Sequence, residues 1–113
     1  MKRSPTAAEF TKGLKSLRRP GGRQLDFLRA HCAAPAGVMT ATRLAKAAGY
    51  RSSDGINLQY GLLAQRIGKA LGRRDVDITL LVDGVTPKSV TNEHWLLSIK
   101  PQFAAALKRA GWV

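Results

Sequence analysis

One cysteine in 113 residues leaves no partner for an internal disulfide and rules out a cysteine-rich zinc site. No apolar run approaches the roughly 18 residues that a membrane-spanning helix needs. The first 14 residues are basic but hold no apolar stretch of the kind that marks a secretion signal, so a cytoplasmic location is the expectation. Aromatic residues make up 6% of the chain, few for a protein that reads single strands by stacking. There are two histidines, and 7 acidic residues against 19 Lys and Arg. What is present is a globular composition, 44% hydrophobic and 23% charged. Its length suits one domain with a core of its own.

A net charge of +12 on so small a chain points to a polyanionic partner: DNA, RNA or an acidic membrane surface. The charge is uneven. Residues 1–51 hold 11 basic and 2 acidic groups, whereas residues 52–113 hold 8 and 5.

Local signals order the chain as four helices, two strands and a last helix. Thr6-Ala7-Ala8-Glu9 is a capping-box pattern, followed at helical spacing by Phe10, Leu14 and Leu17, so a short basic helix is expected over about 7–18. Pro20-Gly21-Gly22 stops it. A second helix follows over about 22–33, with Leu25, Leu28 and Cys32 on one face and Phe27 on its flank, closed by Ala34-Pro35-Ala36-Gly37. Thr40 is placed to cap a third helix over about 41–48, and Gly49 to end it. Ser53 or Asp54 is placed to cap a fourth, in which Ile56, Tyr60, Leu63, Ile67 and Leu71 fall within about 80° of arc. Val76 to Val82 reads as a strand, Asp83-Gly84 as a turn, Thr86 to Asn92 as a polar loop, and His94 to Lys100 as a second strand. Pro101 suits the first position of a last helix, whose inner stripe is Phe103, Ala104, Leu107 and Ala110.

Residues 40–71 therefore read as a helix-turn-helix. Small Ala45 lets two helices cross closely, Gly49 reverses the chain, and Ile56 returns to a shared core. A hairpin directly after the second of these helices makes the winged variety. The expected fold is α+β and mostly helical: a winged helix-turn-helix over residues 20–113, with a basic helical segment at 1–19 and a C-terminal helix.

Residues 20–113 also resemble a winged-helix domain of uncharacterised bacterial proteins, some associated with HNH-type endonucleases. Ala45-Lys46-Ala47-Ala48-Gly49-Tyr50, Ile56-Asn57-Leu58-Gln59-Tyr60-Gly61 and the ending Lys100-Pro101-Gln102-Phe103-Ala104-Ala105-Ala106-Leu107 through Gly111-Trp112-Val113 carry the likeness. The resemblance implies nucleic-acid handling in defence or mobile-element settings. It does not imply a nuclease in this chain.

The residues argue against catalysis. Asn92-Glu93-His94 looks like a fragment of an HNH site, but such a site needs another histidine, and His31 falls inside a helix. His31 and Cys32 are adjacent, so on a helix they point about 100° apart and do not form a nucleophile–base pair. Asp75-x-Asp77 is more simply a solvated pair offsetting Arg73-Arg74 than a metal site. No glycine-rich phosphate loop follows a strand. Neither a metal nor a cofactor is expected.

The expected function is non-enzymatic binding of nucleic acid, duplex DNA above all. Arg51, Ser52, Ser53, Asn57 and Gln59, at the start of the fourth helix, are the candidates for reading bases in the major groove. Arg43 and Lys46 would hold phosphates, as would Lys12, Lys15, Arg18, Arg19 and Arg23 from the basic segment, with Lys88 reaching out from the wing. Gly61, Ala64 and Gly68 share a flank of the fourth helix, and glycines inside a helix suggest a close approach by a helix or a nucleic-acid backbone. Leu58 and Leu62 form a second apolar pair, expected to receive the N-terminal helix or else a dimer or protein partner. The rival function is a small phage or mobile-element inhibitor that binds a defence nuclease or its nucleic acid. A third is an RNA-binding accessory protein, which the low aromatic content disfavours.

Overall fold

The computed structural model describes residues 4–85 and 96–113. These form five α-helices and a three-stranded antiparallel sheet, an α+β fold that is mostly helical, in the order α1 (Ala7–Ser16), α2 (Gly22–Ala33), β1 (Val38–Thr40), α3 (Ala41–Ala48), α4 (Ser53–Ala70), β2 (Val82–Val85), β3 (Leu96–Ile99) and α5 (Pro101–Arg109). No helix among the described residues is long and apolar enough to cross a membrane.

Local chemistry explains most helix ends. Thr6 and Glu9 close a reciprocal capping box at α1, and the Thr40 hydroxyl accepts from the Arg43 N–H at 3.1 Å to start α3. Gly49 ends α3 at φ 78°, a left-handed backbone that costs glycine little. Pro101 opens α5, where its absent N–H loses nothing. Helix α1 stops two residues before the sequence pattern suggested, because Leu17 turns to an extended backbone, half-buried against the core.

The core gathers one stripe from every helix. Phe10 and Leu14 of α1 are fully buried, with Phe10 meeting Phe103 of α5 at 5.3 Å between ring centres. Phe27 of α2 meets Tyr60 of α4 edge-on at 4.8 Å. Ile56, Leu63 and Ile67 complete the inner line of α4, and Trp112 folds back onto the core. Burying side chains of this size contributes roughly 1.5–3 kcal/mol each, so these stripes, rather than helix propensity, hold the molecule together.

The sheet departs from the expectation in three ways. Ile78–Leu80 forms a 3-10 turn instead of a strand, since Asp77 accepts bonds from both the N–H and the hydroxyl of Thr79. The strand begins only at Val82 and contains Asp83-Gly84, which therefore do not turn the chain. A third strand, β1, lies between α2 and α3. Strand β3 is central, pairing Val38 with Ser98 on one side and Val82 with Ile99 on the other. Leu97 and Ile99 point to the core while Leu96 and Ser98 are half-exposed, the period of two that a one-sided sheet requires.

Candidate functional site

The corner between α3 and α4 is four residues long, Gly49 to Ser52, because α4 starts three residues earlier than Ile56. Ser52 is the residue before the helix, and its side chain makes no capping bond. Ser53, expected to lie in the turn or cap, belongs to α4 itself. The Tyr50 N–H donates to the Ala45 carbonyl at 2.8 Å, tying the corner to α3. Its ring sits 6.5 Å from that of Phe27, so the corner is anchored on the core.

Cations collect around this corner. The guanidinium of Arg23, at the start of α2, lies 5.5 Å from the centre of the Tyr50 ring, a contact worth about 0.5–1 kcal/mol at an exposed site. Arg51 is exposed in the turn and Lys46 in the last turn of α3, whereas Arg43 is exposed in the first turn of α3, away from the corner; the inner face of α3 is Ala41, Leu44, Ala45 and Ala48. Ser52 and Asn57 are exposed near Arg51 in sequence. Gln59 differs: it is half-buried, and its Oε1 accepts from Gln24 Nε2 of α2 at 2.8 Å. Its side chain is thus engaged inside the protein.

The rest of the basic segment lies elsewhere. Lys12 and Lys15 line a shallow groove between α1 and α5, together with Arg109, which the sequence reading did not single out. Arg19 reaches the Gly111 carbonyl at 3.4 Å, and Arg18 is exposed. Leu71, just past the end of α4, packs over Gly13 of α1. Since an 18-residue helix is about 27 Å long, α1 and Arg51 mark opposite ends of α4. Lys12 and Lys15 therefore lie at the end of α4 away from the corner. Lys88 lies outside the described residues, as do Thr86–Asn92 and the fragment Asn92-Glu93-His94.

On α4, Gly68 and Gly61 part ways. A β-carbon at Gly68 would lie 2.5 Å from Val76, so the close approach comes from this chain's own loop. A β-carbon at Gly61 would meet nothing within 4 Å. Leu58 and Leu62 remain 60% and 45% exposed, so α1 does not cover them. It packs on α5 and the end of α4 instead.

No group of three or more His, Cys, Asp or Glu gathers among the described residues. Asp77 caps the 3-10 turn, and its bonds to Thr79 hold its carboxyl below the usual range. Cys32 is half-buried, and burial pushes its thiol up. His31, read only as a helix residue, is fully buried: Nδ1 lies 2.6 Å from the Tyr60 hydroxyl and Nε2 2.8 Å from the Leu97 carbonyl. A groove of about 710 Å³ also runs between α2, β1 and α3. Arg43 is the one charged residue among those described along it.

Comparison with known proteins gave no matching family model, no matching curated protein and no matching solved structure.

Proposed function

We propose that this chain is a winged helix-turn-helix protein that binds nucleic acid, duplex DNA above all, without catalysing a reaction. The observation that carries the reading is a two-helix corner edged by exposed cations (Arg23, Lys46 and Arg51), with Arg43 exposed at the head of α3, on a chain of net charge +12. Three features support it. The turn of four residues with glycine at its head is the length that helix-turn-helix corners use. Two antiparallel strands follow α4, as a wing requires, and β1 completes the sheet in the order β1-β3-β2. The start of α4 offers Ser52 and Asn57 to solvent, side chains able to bond base edges or phosphates.

In this reading α4 enters the major groove by its first turns. Arg23, Arg43, Lys46 and Arg51 hold flanking phosphates, and Lys12, Lys15, Arg18 and Arg19 meet backbone further along. Phosphate contacts supply most of the affinity. Asn57 supplies sequence preference through its amide, a group that pairs with adenine.

The test is a gel-shift series at low salt with random duplex, single-stranded DNA and structured RNA. The expected order is duplex first. Retention of no nucleic acid at low salt overturns the reading, and preference for structured RNA overturns its DNA part. Asn57→Ala should weaken binding to a selected duplex by roughly 1–3 kcal/mol and to random duplex by less. Equal small losses on both would remove direct readout by Asn57.

A further inference from the structure

Leu58 and Leu62 are the large hydrophobic side chains that stand exposed on the described structure, at 60% and 45%. They lie one turn apart, opposite the buried line of Ile56, Tyr60, Leu63 and Ile67. Gln65, Arg66 and Lys69 are exposed around them, with Asp54 at the head of the helix. Leu58 and Leu62 contribute little to the core, and their neighbours Arg66 and Lys69 make this side of α4 cationic as well as apolar. A purely apolar partner would leave Arg66 and Lys69 without counter-charge. The fitting occupant is polyanionic overall and apolar in spots. A major groove has that character at thymine, whose C5 methyl is the apolar group among the base edges.

We propose that Leu58 and Leu62 recognise thymine methyl groups in duplex DNA, making this pair a determinant of sequence preference. The proposal rests on the DNA-binding reading above and adds to it which bases are preferred and which atoms are read. Side chains one turn apart are about 5–6 Å from each other, and base pairs rise by about 3.4 Å. The two leucines therefore span one to two base-pair steps, and the preferred site carries thymines at that separation. Asp54 shares the exposed side of the helix and repels phosphates, which favours the groove floor over the backbone for this surface.

The decisive experiment replaces thymine by uracil, which removes the methyl group and leaves the pairing edge intact. Duplexes are first selected by the wild-type protein from a random library, then titrated in thymine and deoxyuridine forms. Wild type should lose about fourfold for each contacted methyl, the worth of one buried methyl group. Leu58→Ala with Leu62→Ala should bind the thymine form more weakly by a similar factor and show no difference between the two forms. Equal wild-type affinity for both forms overturns the methyl assignment while leaving duplex binding in place. Failure to retain any duplex overturns the DNA-binding reading and this proposal with it. Light scattering gives an independent check: a wild-type dimer that Leu58→Ala with Leu62→Ala converts to monomer assigns the pair to self-association and overturns the proposal.

Discussion

The carbonyl of Leu97 has no proton to give, so Nε2 of His31, 2.8 Å away, must carry one. Nδ1 then accepts from the Tyr60 hydroxyl, and the ring is neutral in a defined tautomer. Burial holds the folded-state pKa of His31 below its ordinary 6.5, with the bond to Leu97 opposing the shift. Above about pH 6.5 the ring is neutral in both states and the network contributes in full. As the pH falls through that value the unfolded chain takes up its proton first. Stability then declines by up to about 1.4 kcal/mol per pH unit, until the folded ring protonates too. Glutamine can make the same two bonds without titrating, so His31→Gln should flatten this component. Urea midpoints between pH 7.5 and 5.0 measure it, and equal slopes in both proteins would contradict the assignment. Tyr60→Phe leaves Nδ1 without its donor and should cost about 1–3 kcal/mol at neutral pH. Little in the sequence marks this network, because His31 and Tyr60 are far apart in the chain and the third partner is a backbone carbonyl.

At the scale of the element, α4 carries two interior glycines whose substitutions should differ in sign. Gly61→Ala adds a methyl where nothing stands within 4 Å and should stabilise by up to about 1 kcal/mol through helix propensity. Gly68→Ala drives its methyl into Val76 at 2.5 Å, a short side chain on the loop that follows α4. It should destabilise by about 1–3 kcal/mol. Thermal melts of the two variants test the pair, and a rise for both would show that the Val76 loop yields at little cost. Sequence periodicity placed both glycines on one flank but did not distinguish them. The difference arises because Val76 packs back on α4 instead of continuing a strand. The β-branched run after Gly72 has strand composition, yet Asp77 offers its backbone a competing local bond.

At the scale of the molecule, Lys12 and Lys15 on α1 lie at the opposite end of α4 from the corner, so a duplex held at the corner reaches them only if it runs the length of that helix. Lys12→Ala with Lys15→Ala, and separately Arg43→Ala with Lys46→Ala, should each weaken duplex binding across all sequences. Each pair should reduce the salt slope by about 2, from a starting value near −7 for the roughly eight phosphate contacts assigned above. Their effects on log affinity should add, since distant sites act independently. Melting temperatures should hardly move, as exposed surface changes stay within about ±0.5 kcal/mol each. If the first pair leaves affinity and slope unchanged, the duplex does not reach α1.

The features legible in the chain alone lie within a few residues of each signal. The bounds of α2 and α3, the cap at Thr40, the stop at Gly49, the start of α5 at Pro101 and the inner line of α4 rest on bonds within a turn or on the helical period. Both are written locally. The features that needed the folded molecule depend on partners distant in the chain. Strand β1 is three residues of no marked pattern, and exists because Val38 to Thr40 find β3. Gln59 is engaged because α2 brings Gln24 beside it. Leu58 and Leu62 stay exposed because α1 finds a better seat on α5, ring against ring at Phe10 and Phe103. The spread of the charge has the same origin: Lys12 and Lys15 sit far from Arg51 because α1 packs at the other end of α4.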